Sequence, residues 1–244
     1  LSEPEEPQRL GEHGVDVVLE GVTFHYHDLE TGKRFCALDK VSLKIAVGAR
    51  VALLGPSGSG KSTTGKLLAR LFDPEEGVIT MGDVPLPELS LDDLRGRIGY
   101  VGQEVFLFNG TIEENIRFGA PGEINEDDIR RVVELAKVDE ILEHKELGLM
   151  TPVGEKGARL SGGQKKRIAL ARALLRNPSI LIIDQLASDL EEDLNRSIFE
   201  GIRDTLDLSI LYLGHRIPAG FEADAVYWME YGRLEKRQVG KEIA

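Results

Sequence analysis

The stretch Gly55-Pro56-Ser57-Gly58-Ser59-Gly60-Lys61-Ser62-Thr63 leaves this chain few folds to choose from. Its spacing, G-x-x-x-x-G-K-S, is that of a loop that cradles a triphosphate with backbone N–H groups. Glycines let the backbone curl tightly and approach the oxygens. An apolar run, Arg50-Val51-Ala52-Leu53-Leu54, leads in, and the helix-forming run 64–72 leads out. Such a helix presents unpaired N–H groups and a positive dipole end to an anion. Lys61 adds a full charge between the outer two phosphates, and the Ser62 hydroxyl is a ligand for Mg2+. A chance Gly-rich turn would lack this strand–loop–helix context, so the motif calls for an α/β architecture.

The rest of the chain fits that demand. Val15-Asp16-Val17-Val18-Leu19-Glu20 and Val22-Thr23-Phe24-His25-Tyr26 read as two strands around a break at Gly21. Leu38, Val41, Leu43 and Ile45 alternate well enough for another. Val51-Ala52-Leu53-Leu54 is apolar on both faces, as in the centre of a covered parallel sheet. Asn125 offers a cap, and Ile129, Val132, Val133 and Ala136 recur with the helical period. Residues 161–176 read as a further helix ended by Asn177-Pro178. Ser179-Ile180-Leu181-Ile182-Ile183-Asp184 is a buried strand ending in an acid, and residues 208–213 form another apolar strand. A hairpin around Tyr231-Gly232 closes the pattern.

Charge and cysteine content narrow the partners. Among 244 residues, 30 Lys and Arg face 42 Asp and Glu, a formal charge of −12, which argues against duplex DNA, other nucleic acid or a membrane face as the main partner. The single cysteine, Cys36, excludes an internal disulfide framework and reads as a small half-buried apolar residue. No run approaches the ~18 apolar residues of a membrane span. The start, Leu1-Ser2-Glu3-Pro4-Glu5-Glu6-Pro7, is acidic and proline-rich and reads as a linker, 1–13, from a longer chain.

Two further motifs carry chemistry. At the carboxyl edge of its strand, Asp184 can orient Mg2+. In Leu160-Ser161-Gly162-Gly163-Gln164, Ser-Gly-Gly at a helix start makes a second anion-binding end. An ordinary N-cap would account for Ser161 but for neither glycine.

With these residues the chain resembles the ATP-binding cassette (ABC) family, in particular the nucleotide-binding domains of exporter-type transporters. The resemblance runs from Val15 to Leu234. Leu160 to Gln164 resembles the family signature, continued by Lys165-Lys166-Arg167-Ile168-Ala169. Tyr100-Val101-Gly102-Gln103 is similar to the segment whose glutamine senses Mg2+ and the attacking water. His215 resembles the switch histidine of the γ-phosphate, and Tyr26 the aromatic that stacks on adenine. Thr151-Pro152-Val153-Gly154-Glu155-Lys156-Gly157 resembles the stretch near the membrane domain's coupling helices.

The resemblance implies a P-loop core of mostly parallel sheet flanked by helices, with an N-terminal antiparallel β subdomain. It also implies an inserted α-helical subdomain at 106–171; the β subdomain and core would occupy 14–105 and 172–244. It implies ATP and Mg2+ as ligands and head-to-tail pairing with a second such domain, in a homodimer or heterodimer. Each ATP would lie between Gly55 to Thr63 of one domain and Ser161, Gly162, Gly163 and Gln164 of the other. Lys61, Gln103, Gln185 and His215 would serve catalysis, with Ser62, Gln103 and Asp184 at the metal. A transmembrane domain would complete the transporter, placing this domain on the cytoplasmic face of a membrane and leaving substrate choice to the membrane segments.

The sequence departs from the family after Asp184. Where the family keeps a general-base glutamate, Gln185 stands, and an amide cannot accept a proton at neutral pH. Leu186-Ala187-Ser188-Asp189-Leu190-Glu191 replaces the usual A-T-S-A-L-D. Gln185 is either an engineered trap of the ATP-bound state or a natural impairment in a chain paired with an active subunit; either way slow turnover is expected. An importer's ATPase subunit, a non-transport ATPase of the superfamily and an ATP-sensing module are the rival classes.

Overall fold

The computed structural model describes residues 4–11, 14–28 and 30–238. Residues 1–3 and 12–13 of the expected linker lie outside the described residues. The stretch 4–11 between them lies beside residues 88–90: the Gln8 N–H donates to the Glu88 carbonyl (2.8 Å), and the Ser90 N–H donates to the Gln8 carbonyl (3.2 Å).

The chain begins with β1 (Val17–His27), β2 (Arg34–Ile45), β3 (Arg50–Leu54) and α1 (Lys61–Leu68). It continues with β4 (Glu76–Met81), β5 (Val84–Pro85), α2 (Leu91–Arg97), β6 (Ile98–Val101) and α3 (Ile112–Arg117). Then come α4 (Glu126–Leu135), α5 (Asp139–Leu142), α6 (Gly162–Leu175), β7 (Ile180–Asp184), α7 (Glu192–Thr205), β8 (Ser209–Gly214), β9 (Ala225–Glu230) and β10 (Arg233–Arg237). One sheet has the order β10-β9-β3-β8-β7-β6, parallel except for the antiparallel β9–β10 hairpin. The other is antiparallel, in the order β2-β1-β4-β5. This is the mixed α/β P-loop architecture expected from the sequence.

Strand alternation explains how the layers join. In β3, Val51 and Leu53 enter a core shared with the antiparallel sheet, while Ala52 and Leu54 enter a core built with α4, α6 and α7. β7 divides the same way, Ile180 and Ile182 against Leu181 and Ile183; β8 sends Leu211 and Leu213 one way and Ile210 and Tyr212 the other. These strands are apolar on both faces because both faces are covered, and each fully buried Leu or Ile contributes about 1.5–3 kcal/mol. The motif-bearing loops therefore hang from a rigid centre.

Several local readings are refined. The two strands expected around Gly21 are one, β1, because Gly21 takes φ +58 within a bulge where pairing with β2 shifts between Leu19 and Val22. Leu38 and Val41 lie an odd number of residues apart yet share a face. Lys40 at φ +53, beside the register shift, resets the alternation. The helix expected over 64–72 is α1, one turn shorter at its end, since Arg70 turns left-handed at φ +46. α4 is capped by Asn125 as expected, its side chain accepting from the Asp128 N–H at 2.8 Å. The closing hairpin turns through Tyr231 (φ +48) and Gly232 (φ +75), both left-handed as a tight two-residue turn requires.

Candidate nucleotide-binding site

α1 opens directly from the phosphate loop, with Gly60 as N-cap at φ +112 and no side chain to cap it. The glycines here are forced by the protein before any ligand arrives. A Cβ on Gly60 would lie 2.4 Å from the Ala37 carbonyl oxygen, and one on Gly55 would lie 2.0 Å from that of Met229. The β9–β10 turn braces the loop, since the Gly232 N–H donates to the Ser59 carbonyl at 3.0 Å.

Lys61 is 4% exposed. Its Nζ donates to the carbonyls of Gly55 (2.8 Å) and Pro56 (2.7 Å) and lies 3.3 Å from the Ser59 hydroxyl. The ammonium thus sits inside the loop, satisfied by the loop's own oxygens. Burial lowers its pKa, and the negative charge of Asp184 opposes that fall.

Asp184 ends β7 and is 1% exposed. Burial pushes its carboxyl above the ordinary value, against a hydrogen bond from Ser62 and the charges of Lys61, Lys66 and Lys166. Among the described residues, its Oδ1 has no hydrogen-bond partner. A buried carboxylate oxygen left over beside a serine hydroxyl is the donor chemistry a Mg2+ ion takes: hard oxygens, few from protein, the rest from water and phosphate. Among the described residues, no cluster of three or more His, Cys, Asp or Glu offers an all-protein cage. Ser62 and Asp184 therefore fit Mg2+, and fit it as a companion of a phosphate.

A cavity of about 390 Å³ opens over the loop, and its lining includes Tyr26, Ser57, Gly58, Ser59, Gly60, Lys61, Ser62, Thr63, Gln103 and Gln185. A second cavity, about 250 Å³, is lined by Ser188, Tyr212, His215 and Arg216, and Gln185 borders both. The fold thus gathers most of the candidate residues around Gln185 and sets His215 on its far side. Burial pushes the Tyr212 hydroxyl up to about 12 and raises that of Tyr100 too, so both phenols stay protonated near neutrality. Gly55 and Pro56 contribute through their carbonyls to Lys61.

Tyr26 has two allegiances. Its hydroxyl accepts from Thr63 (3.3 Å), and its ring meets Phe24 and Phe72 edge-on at 5.1 and 5.8 Å. Directly across the β1–β2 pairing stands Phe35, 55% exposed and lining the same cavity. Sequence reasoning missed Phe35; its only signal was an aromatic two residues after Lys33 in an otherwise polar stretch. Cys36, expected half-buried, is exposed on the same cavity wall. The correction follows from β2, whose first residues, Arg34 to Cys36, are all exposed.

Gln185 adopts a left-handed backbone, φ +55. Its N–H donates to the Leu213 carbonyl (2.9 Å), and its carbonyl accepts from Lys166 Nζ (2.5 Å) and the Ser188 hydroxyl (2.9 Å). The backbone is thereby fixed from three sides.

Ser161 caps α6, accepting from the Gln164 N–H (3.3 Å), while Gln164 Oε1 accepts from the Ser161 N–H (3.0 Å). This reciprocal capping box gives Ser161 the cap role that the sequence allowed it and brings Gln164 into the same cap. Gly163 is explained by packing as well: a Cβ there would lie 2.8 Å from the Asp189 carbonyl oxygen. Gly162 has nothing nearer than 3.9 Å, so packing within the chain does not require a glycine there. None of Ser161, Gly162, Gly163 and Gln164 lines either cavity of this chain.

Residues 38–188 match the family model described as ABC transporter. The chain is 38% identical over 218 residues to the Mesentericin-Y105 transport/processing ATP-binding protein of Leuconostoc mesenteroides, covering 89% of this chain and 29% of that protein. It is 36% identical over 250 residues to the ATP-dependent lipid A-core flippase of Ralstonia nicotianae, covering 100% of this chain and 42% of that protein. The solved structure of a bacterial Atm1-family ABC exporter with ATP bound matches 96% of this chain and 40% of its own, with a TM-score of 0.88 and 32% identity. The chain spans less than half the length of these relatives. With a matching family model, such relatives and a phosphate loop that opens directly into α1, the chain belongs to the ABC transporter family, as a nucleotide-binding domain of the exporter type.

Proposed function

We propose that this domain binds ATP with Mg2+ and powers export of a substrate across a membrane by pairing with a second such domain. The observation that carries the reading is the buried pair at the loop: Lys61 held only by exchangeable loop oxygens, and Asp184 with one oxygen unpartnered. Phosphate oxygens satisfy the first, and a cation held by Ser62 and Asp184 satisfies the second. When bound, Mg2+ neutralises charge on the outer phosphates. Tyr26 and Phe35 frame the mouth where a purine ring would rest. Gln103 and His215 flank Gln185 from opposite cavities, suited to orienting a water and touching the outermost phosphate.

The signature end at Ser161 to Gln164 stands apart from this chain's own cavity, which supports its use on a partner's nucleotide. The partner is a second nucleotide-binding domain, the same or different, facing head to tail. The division into 14–105 with 172–244 and an inserted 106–171 accompanies this reading; α6 runs across its second boundary and ties the two parts together. Among the described residues, no helix is long and apolar enough to cross a membrane; in this reading the pathway belongs to a transmembrane domain of the same transporter. Docking is assigned to the side carrying residues 151–157, with this domain at the cytoplasmic face. Relatives named as a flippase and as a transport/processing protein favour the exporter reading over an importer subunit.

Gln185 cannot act as a general base, so turnover as written is slow. The test is MgATP binding together with steady-state phosphate release, for this chain and its Gln185→Glu variant. Tight binding with release rising about 10²–10⁴-fold in the variant is expected. Equal rates remove Gln185 as the limiting feature, and absence of binding overturns the reading.

A further inference from the structure

We propose that Lys166 is a positioning residue: from α6 it clamps the loop carrying Gln185, so that a displacement of this one wall of the nucleotide cavity is passed to the signature end. This rests on the nucleotide reading above. The Lys166 ammonium is 4% exposed. It has three hydrogens and three acceptors: the Gln185 carbonyl (2.5 Å), the Ser188 hydroxyl (3.4 Å) and the Asp189 carboxylate (2.7 Å). The Gln185 carbonyl belongs to the residue directly after Asp184, so the clamp reaches the peptide next to the metal-binding carboxylate. At its other end Lys166 lies little more than one turn from Ser161, the cap of α6.

Two observations make this a matched device. Asp189 stands where the resemblance leads one to expect a small residue, and its charge is answered by Lys166. The ammonium end of this ion pair is buried while the carboxylate end is 47% exposed, so Asp189 supplies the charge that Lys166 faces and its loss leaves the ammonium to the two neutral acceptors. The contact is also doubled. Gly163 packs against the Asp189 backbone so closely that a Cβ would sit 2.8 Å from its carbonyl oxygen and 3.0 Å from Leu190 Cδ2. Residues 185–190 are therefore pinned to the first two turns of α6 by one charged contact and one steric one. A shift of the loop when the cavity fills has to be passed to the helix end that meets the partner's nucleotide.

Amide hydrogen exchange on this chain tests the clamp. MgADP fills the cavity without the γ-phosphate that drives pairing, so protection it induces at 162–168 reports transmission within one chain. In the parent, and in Lys166→Arg, MgADP is expected to slow exchange at both 185–190 and 162–168 by at least about three-fold. In Lys166→Met the slowing at 162–168 should vanish, and exchange at 185–190 without nucleotide should rise at least about five-fold. The double change Lys166→Gln with Asp189→Ala, which keeps a donor to the Gln185 carbonyl and removes the orphaned charge, should restore most of both. Unchanged exchange at 185–190 in nucleotide-free Lys166→Met overturns the proposal. So does protection at 162–168 that survives in Lys166→Met, or faster exchange spread evenly over the molecule and unrescued by the double change. A parent that binds no MgADP overturns the nucleotide reading instead, while the nucleotide-free comparison still judges the clamp.

Discussion

Replacing Asp184 by Asn should make the nucleotide-free protein more stable and its MgATP complex less so. The folded chain holds this carboxyl above its ordinary value of 3.8, chiefly through burial. A group with a raised folded pKa binds its proton more tightly in the native state. Its contribution to stability is full below the ordinary value and is lost as pH rises through the raised folded one. Above that raised value the nucleotide-free protein carries a buried carboxylate with one oxygen that has no hydrogen-bond partner among the described residues. An unsatisfied buried polar atom costs about 1–3 kcal/mol, and the hydrogen bond from Ser62 with the charges of Lys61, Lys66 and Lys166 offsets part of it. A net gain of about 1–2 kcal/mol on neutralisation is reasonable, or about 3–6 °C in Tm for a chain of this size.

The assay is thermal unfolding of both proteins across pH, with and without MgATP. The variant should melt higher where the native carboxyl is ionised, and the gap should close as pH falls through the raised folded value and be gone below the ordinary 3.8. With saturating MgATP the order should reverse, because only the parent gains the metal contact. A variant that melts lower without nucleotide above the raised value, or a gap that ignores pH, would refute the argument that burial strain at Asp184 is held in reserve for a cation.

Other perturbations separate binding from architecture. Lys61→Met should weaken MgATP binding about 100-fold, the equivalent of about 3 kcal/mol of charge-assisted bonding, measurable by calorimetry. Gly163→Ala should cost about 1–3 kcal/mol by overpacking against Asp189, whereas Gly162→Ala should leave Tm unchanged or higher and impair only ATP-driven pairing seen in sedimentation. Tyr26→Phe should keep nucleotide affinity within about two-fold, since it removes only a 3.3 Å hydrogen bond to Thr63; Phe35→Ala should weaken it further if the two aromatics share the purine.

The parts of the fold that could be read ahead of the structure are those in which a local rule and the global packing agree. Val51 to Leu54 and Ile180 to Asp184 announce themselves because burial on both faces requires unbroken apolar runs. α4 does so because a cap, an acidic first turn and one apolar stripe coincide. β4, β5, β6, α2 and α3 escaped notice. They are short, and strands such as Glu76–Met81 show only a half pattern, exposed at one end and buried at the other. β1 was divided at Gly21 because a bulge glycine and a loop glycine look alike in sequence; only the partner strand distinguishes them. The capping box at Ser161 and Gln164 was legible from its spacing and was passed over for a more functional reading. Lys166 was beyond reach, since its acceptors lie 19 and 22 residues on, across a strand, and only the fold brings that loop back against α6.

The geometry around Gln185 bears on what its identity means. Every polar contact that fixes this residue is made by its backbone: the N–H to Leu213, the carbonyl to Lys166 and Ser188. Its side chain borders two cavities and makes no hydrogen bond among the described residues. The scaffold thus imposes a left-handed backbone at this position and leaves the side chain free. Exchanging amide for carboxylate there should leave the loop, the clamp and Asp184 where they are. A difference in rate between the parent and its Gln185→Glu variant, should it appear, is then a difference in proton acceptance rather than in folding, and the comparison isolates the general base from everything that holds it.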